Sequence, residues 1–498
     1  MLARTRTLAI VGVDAVPVDV EIDIHRGLPA FSLVGLPDAA VREARERVRA
    51  ALVNCGFDFP LQRITASLAP ADLRKAGPGF DLAIATAIMI ASERLPGEAL
   101  ERWWLAGELA LDGTIRPLPG ILAMAERVER EGAGGLAVAA PNAAEAGLVE
   151  RLAVAPLTSL HDLVALAAGE IAAPPPPASS PVPAKPLPDL ADLKGQPSLR
   201  RGLEVAAAGG HAALVVGPPG AGKSLAARRL PSILPPLSRR EAIEATKIAS
   251  VAGQPCRDGV LARRPFRAPH HTISPAGLVG GGSPPRPGEI TLAHRGVLFL
   301  DELGEFARPA LEALRQPLED GAVTISRARG SVRFPASFQL FAAANPCPCG
   351  HGDGSPRCSC SADRVRAYAA RLSGALADRF DLALAVEQPS AAALDGDPGE
   401  SSDVVAGRVI GAREAQRERL GEDRTNASMS DHEIAALTDL DEDARARLID
   451  GHASSRLSGR GWTRVIKVAR TCADLAGSRS VGADHVDEAL SMRRRGAR

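Results

Sequence analysis

The 498-residue chain reads as an α/β multidomain protein built around a phosphate-binding core, and three observations predict that class. The apolar run Ala212-Ala213-Leu214-Val215-Val216 feeds Gly217-Pro218-Pro219-Gly220-Ala221-Gly222-Lys223-Ser224, which satisfies G-x-x-x-x-G-K-[ST]. A second apolar run, Gly296-Val297-Leu298-Phe299-Leu300, ends in Asp301-Glu302. A Pro-rich stretch from Ala172 to Asp189 then separates this part from an N-terminal α/β unit. Continuously apolar strands belong to parallel sheets covered on both faces, and such sheets bind ligands at the strands' carboxyl ends.

Taken in order, residues 1–171 form the first unit, with a strand at Val18-Asp19-Val20-Glu21-Ile22-Asp23 and an amphipathic helix from Asp38 to Cys55. Residues 172–189 lack a core-forming pattern and are expected to be a stiff, extended spacer. The phosphate-binding core spans 190–390. Its glycines let backbone N–H groups converge on phosphate, Lys223 reaches the β- and γ-phosphates, and the Ser224 hydroxyl holds Mg²⁺. A helix from Lys223 to Leu230, ending before Pro231, puts the anion at a helix N-terminus. An unrelated Gly/Pro turn would not be framed by a strand and a helix in this way.

Hydrolysis needs more than a cradle. Asp301 is placed to hold Mg²⁺ and Glu302 to polarise the attacking water. A third apolar strand, Phe338 to Ala344, ends at Asn345, whose amide can orient that water against the γ-phosphate. Arg379, ahead of another apolar run, is a candidate arginine finger donated to a neighbouring subunit's nucleotide; a structural Arg paired with Asp378 or Asp381 fits the sequence equally well.

Cys347-x-Cys349 and Cys358-x-Cys360 flank a Gly-rich loop that contains His351. Four soft ligands can close a tetrahedral Zn²⁺ site there, with reduced, metal-free thiols as the alternative. From about Ala391 to residue 498 the pattern is helical, with a capping box at Ser430-Asp431-His432-Glu433 and a last helix opened by Val481-Gly482-Ala483-Asp484.

Composition narrows the function classes. The chain is 45% hydrophobic and 24% charged, with formal net charge zero. Residues 1–171 carry 16 Lys/Arg against 22 Asp/Glu, so the remainder is about +6 and is the part expected to meet a polyanion. No run of eighteen apolar residues occurs, which predicts a cytoplasmic protein without membrane contact. Seven cysteines, four of them clustered, argue for metal or free thiols and against a disulfide framework.

The order of these motifs resembles the AAA+ ATPases. Arg264-Pro265-Phe266-Arg267-Ala268-Pro269-His270-His271-Thr272-Ile273-Ser274, Gly280-Gly281-Gly282, Pro287-Gly288-Glu289-Ile290 and Asn345-Pro346-Cys347-Pro348-Cys349-Gly350 resemble the magnesium-chelatase-like ATPases of the YifB/ComM type over nearly the whole chain. The resemblance implies an AAA+ P-loop core, ATP and Mg²⁺ as cofactors, a C-terminal helical lid and self-assembly into a ring, expected to be hexameric. It further implies a DNA motor, as ComM-type relatives are taken to be in recombination and natural transformation; a protein remodeller or chelatase-like chaperone is the alternative.

Further residues follow from the resemblance. Val323 to Phe334 is similar to the pre-sensor hairpin, so Arg327, Arg329 and Arg333 would meet a DNA backbone in the pore; a surface hairpin with solvated arginines is the other reading. The Gly280-Gly281-Gly282 segment suggests a second, protruding hairpin, and His270 and His271 are either buried structural residues or substrate contacts. In the lid, Arg460 resembles the sensor-two arginine, with Arg464 in reserve and Trp462 as core. Gly107-Glu108-Leu109-Ala110-Leu111-Asp112-Gly113 and Lys75-Ala76-Gly77-Pro78 resemble the Lon-protease-type, ribosomal S5 domain 2-like fold. Gly79 stands where the Ser nucleophile would follow, and Pro119 to Ala125 has no Lys. Peptidase activity is therefore not expected, and the unit is left to a structural role or a protein partner.

Overall fold

The computed structural model describes residues 1–171, 186–254, 259–282, 284–327, 330–352, 356–372, 376–455 and 457–493. Most of the Pro-rich stretch and Arg329 lie outside them.

The N-terminal part is a seven-stranded mixed sheet. Its strands are β1 (Leu2–Val11), β2 (Asp14–His25), β3 (Ala30–Val34), β4 (Arg63–Ala69), β5 (Trp103–Ala106), β6 (Gly135–Ala139) and β7 (Ala153–Leu157), in the order β3-β4-β2-β1-β5-β6-β7. β1 and β2 pair antiparallel from Leu2↔Asp23 to Val11↔Asp14, and both alternate buried with exposed residues over much of their length. Helix α1 (Ala39–Asn54) starts where Asp38 caps the Val41 N–H and ends at Cys55, as its periodicity predicts. With α2 (Asp81–Ala91) it closes one core; α3 (Ile121–Arg130) closes a second on the other face.

The central part carries a five-stranded, all-parallel sheet of β8 (Ala213–Val216), β9 (Phe266–Arg267), β12 (Val297–Leu300), β15 (Gln339–Ala344) and β16 (Leu382–Ala385). The spatial order is β9-β12-β15-β8-β16, so the first strand in the chain lies inside the sheet, where a crossover reversal opens a ligand crevice. Helices α4 (Pro197–Gly209), α5 (Lys223–Ile233) and α6 (Arg239–Val251) belong to this unit. α5 runs through Pro231, three residues farther than its sequence suggests. Leu230 and Ile233 are fully buried, and that burial offsets the bond to the Ala227 carbonyl that Pro231 cannot make.

Two short hairpins adjoin this sheet. Gly280–Gly281 (β10) pairs with Arg286–Pro287 (β11), and Ala322–Arg327 (β13) pairs with Gly330–Pro335 (β14) in the register Ala322↔Pro335 to Arg327↔Gly330. The first is a ladder of two residue pairs held against the second, since a Cβ on Gly280 would lie 3.0 Å from Ile325 Cδ1. It is packed rather than protruding at that point. The C-terminal part is helical: α8 (Ser402–Leu420), α9 (Asp431–Leu437), α10 (Glu442–Ser455), α11 (Gly459–Leu475) and α12 (Ala483–Ser491) follow α7 (Ala362–Leu372) of the central part. The capping box Ser430/Glu433 is formed, and Trp462 packs on the lid core.

The N-terminal part is docked on the central one. Val13, in the β1–β2 turn, is buried with Ile248 of α6 and with Val323, Ile325 and Phe334 of the β13–β14 hairpin. Gly12 has φ +68°, and a Cβ there would meet Val332 at 2.6 Å, so only glycine fits both backbone and neighbour. Among the described residues no helix is long and apolar enough to cross a membrane.

Candidate nucleotide-binding site

The phosphate loop joins β8 to α5, with Gly220 at φ +79° and Gly222 at φ +85°. These left-handed positions turn successive N–H groups into one concavity. Lys223 Nζ donates to the Gly217 carbonyl (2.6 Å), the Pro218 carbonyl (2.9 Å) and Asn345 Oδ1 (3.0 Å). An ammonium has three donors, and all three are used. Burial holds the Lys223 ammonium below the ordinary lysine value, against the pull of Asp301 and Glu302.

Asp301 and Glu302 follow β12 at its carboxyl end, beside β15 and its terminal Asn345. Ser224 Oγ donates to Asp301 Oδ2 at 2.6 Å, while Asp301 Oδ1 accepts from the Glu302 N–H at 3.0 Å. A hydroxyl and a carboxylate that share one proton at the mouth of a phosphate cradle are the two oxygen donors a magnesium ion takes from protein in such sites. The chain's own residues therefore fit Mg²⁺ and a nucleotide triphosphate.

Glu302 adopts φ +53°, a left-handed conformation costly for a non-glycine residue. Buried Leu303 and Phe306 just after it fix the backbone there. Its carboxylate meets His271, whose Nδ1 is 3.2 Å from Glu302 Oε2, and the His271 ring lies edge-on to Phe306 and 4.1 Å from His270. His270 is exposed, while half-buried His271 faces the acid expected to act on water. The segment that carries it is fixed by Arg267, which makes two bonds to Glu289 (2.6 and 2.7 Å) and so joins two of the sequence motifs.

Arg379 stands at the end of the turn Ala377–Arg379 and is ion-paired with Glu319, not with Asp378 or Asp381. Asp381 is taken instead by His211 (3.0 Å) and Arg464 (3.3 Å), which link core and lid. Burial pushes the Asp381 carboxyl up, but His211, Arg464 and Lys467 hold it below the ordinary value. Arg464 is therefore engaged in structure, while Arg460 is exposed in the first turn of α11. Gln196, which the sequence reading passed over, donates to Ala221 O (3.1 Å) and Glu387 O (2.6 Å) and so holds the back of the phosphate loop; it stands just ahead of a helix that opens with proline.

The four cysteines converge. Sγ of Cys347, Cys349, Cys358 and Cys360 all lie within 4.8 Å of one another. The backbone N–H of His351, with the Cys347 thiol, pulls Cys349 down to about 6. Of the hairpin arginines, Arg333 is exposed on β14 and Arg327 ends β13.

Comparison with known proteins places this site in context. Residues 189–394 match the family model described as magnesium chelatase, subunit ChlI; residues 20–142 match subunit ChlI of Mg-chelatase, and 399–493 match the ChlI C-terminal model. The chain is similar to the protein YifB of Salmonella typhimurium, at 44% identity over 99% of this chain and 97% of the relative. It is 42% identical to YifB of Escherichia coli and 42% identical to the competence protein ComM of Haemophilus influenzae, each over 99% of this chain and 97% of the relative.

Proposed function

This chain belongs to the magnesium-chelatase-like YifB/ComM family, and from that premise we propose that it is an ATP-hydrolysing AAA+ ring motor that acts on DNA, a ComM-like branch-migration helicase of recombination or natural transformation. The observation that carries the reading is the convergence of Lys223, Ser224, Asp301, Glu302 and Asn345 at the carboxyl ends of β8, β12 and β15. Ser224 and Asp301 would hold Mg²⁺, which when bound neutralises charge on the phosphates. Lys223 exchanges its loop carbonyls for phosphate oxygens, Glu302 takes the water's proton, and Asn345 keeps its NH₂ group to orient that water. Arg379 and Arg460 complete the site, Arg379 from the neighbouring subunit, which makes a hexameric ring the working form.

DNA is assigned to the ring through the β13–β14 hairpin, where Arg327, Arg329 and Arg333 supply the phosphate contacts. The competence protein ComM among the relatives supports that substrate. The match to magnesium chelatase models favours the alternative, an ATP-dependent protein remodeller or chelatase-like chaperone. The N-terminal part is read as a Lon-protease-like, ribosomal S5 domain 2-like unit without the catalytic dyad. Lys75, its one lysine, is fully buried on the Pro70 carbonyl, and Gly79 offers no hydroxyl. We assign it to a protein partner.

The test is ATP turnover with single-stranded, forked and four-way-junction DNA. Stimulation by DNA and movement of the junction are expected. ATP hydrolysis that ignores every DNA would move the remodelling reading to first place.

A further inference from the structure

We propose that Cys347, Cys349, Cys358 and Cys360 hold one tetrahedral Zn²⁺ ion, and that this knuckle braces the phosphate loop and Asn345, so that metal occupancy sets nucleotide affinity. The metal half stands without any reading of the substrate; the second half rests on the nucleotide site described above.

The sulfur geometry comes first. Cys347 Sγ lies 3.3 Å from Cys349 Sγ and 3.8 Å from Cys358 Sγ, and Cys349 Sγ lies 3.6 Å from Cys358 Sγ. Four thiolates about 2.3 Å from a zinc ion at a tetrahedron's centre stand about 3.8 Å apart. Disulfide sulfurs would be about 2.05 Å apart, so these are ligand separations and not bond lengths. Four thiolates around Zn²⁺ leave excess negative charge that N–H donors must offset. The Gly352 N–H donates to Cys347 Sγ at 3.2 Å, and the His351 N–H points at Cys349. Four protein ligands close the coordination shell, which is the structural and not the catalytic form of a zinc site.

Placement supplies the function. Cys347 and Cys349 leave β15 directly after Asn345, and Cys358 and Cys360 lie just ahead of α7. A metal between them ties the end of the Asn345 strand to that helix. On α7, Tyr368 packs against the Glu302 loop, since a Cβ on Gly304 would lie 2.4 Å from its ring. The knuckle also rests on the phosphate loop: Gly350 has φ +90°, and a Cβ there would lie 2.8 Å from the Pro219 ring and 3.9 Å from Asn345 Cγ. One ion thus holds three segments of the nucleotide site in register.

The full-length protein, purified without chelator, is expected to carry one zinc per chain by metal analysis. Its Co²⁺-exchanged form should show the visible ligand-field bands of a tetrahedral thiolate site. Stripping the metal from wild type with a chelator should weaken binding of a fluorescent ATP analogue at least about tenfold, and added Zn²⁺ should restore it. Cys358→Ser with Cys360→Ser should reproduce the stripped state, whereas Cys472→Ser, in the buried lid core, should keep its zinc. Absence of stoichiometric zinc together with absence of the Co²⁺ bands overturns the site. Zinc present, with equal nucleotide affinity before and after stripping, overturns the brace. Should the double variant fail to fold, stripping and add-back on wild type decide alone.

Discussion

His271 Nδ1 lies 3.2 Å from Glu302 Oε2 and ties the segment after β9 to the acid that ends the β12 strand. Glu302 is held in the left-handed region on its own backbone, and His271 fixes the other end of the side chain. A carboxylate that must accept a proton from water needs an aimed oxygen, and small losses of aim are expensive. His271→Ala should therefore lower kcat about tenfold while the affinity for ATP stays within about twofold. Glu302→Gln should bind ATP and fail to turn it over. Steady-state kinetics alongside direct nucleotide titration separate the two, and an unchanged kcat in His271→Ala would end the orienting role.

Lys223 makes three bonds to oxygens and lies in the loop that would receive phosphate. Lys223→Ala should weaken nucleotide binding by about a hundredfold, which corresponds to ~3 kcal/mol for a charged donor. Isothermal titration with a non-hydrolysable analogue measures it. Similar affinity in wild type and variant would remove Lys223 from the site.

Arg379 is paired with Glu319 within its own chain, so to act in a ring it must exchange that partner for a neighbour's phosphate. Arg379→Ala and Lys223→Ala proteins, each inactive alone, should regain part of their hydrolysis when mixed, because some interfaces then combine an intact loop with an intact arginine. The readout is turnover against mixing ratio under conditions where subunits exchange. No recovery at any ratio would return Arg379 to a structural role.

The interface between the N-terminal and central parts contains a buried acid. Ser250 of α6 donates to Glu145, the Leu122 N–H donates to the same carboxylate oxygen (2.8 Å), and the Gly120 N–H donates to Ser250 Oγ (2.8 Å). Burial pushes the Glu145 carboxyl above its ordinary value, with the Ser250 and Leu122 bonds pulling the other way. A raised acid favours the folded state fully below the ordinary carboxyl range and loses that contribution as pH climbs through the raised value. Glu145→Gln keeps the acceptor without the charge. Its melting temperature should pull ahead of wild type by a few degrees, on the order of 2–4 °C, as pH rises from about 4 to about 7. Glu145→Ala should cost about 1–3 kcal/mol at every pH by leaving donors unpaired. Parallel melting curves for wild type and Glu145→Gln at all pH values would contradict this account.

The phosphate loop, the Asp301-Glu302 strand end and the β13–β14 hairpin were legible because each is written in contiguous residues whose spacing has a mechanical meaning. The Ser430/Glu433 cap and the Asp38 start of α1 were legible for the same reason. What the sequence concealed is long-range. Ser250 and Glu145 are 105 residues apart, and nothing in either segment marks the other as its partner. The Arg267–Glu289 pair, the His271–Glu302 contact and the seating of Gly350 on Pro219 arise from how loops at one sheet edge are folded together, which periodicity does not encode. Pro231 misled in the opposite direction, because burial of Leu230 and Ile233 outweighs a local helix breaker.

The hairpin tests the motor reading most directly. Its base is locked by Val323, Ile325 and Phe334 in a core shared with Val13 of the N-terminal part, so Arg333, exposed on β14, sits on a rigid support. If Arg327, Arg329 and Arg333 each neutralise one DNA phosphate, replacing all three with Ala should weaken DNA binding. The slope of log affinity against log salt should also fall by up to about three, because each lost contact releases one counterion fewer. The DNA-stimulated part of ATP hydrolysis and the movement of a four-way junction should go with it. The substitutions leave Val323, Ile325 and Phe334 of the buried cluster in place, so the melting temperature should stay at the wild-type value. A triple variant that binds DNA with an unchanged salt slope would make these arginines solvated surface and send the DNA contact to the Gly280–Pro287 ladder or the cysteine knuckle. A variant that melts early would show instead that the hairpin's role is to hold the two parts of the chain together.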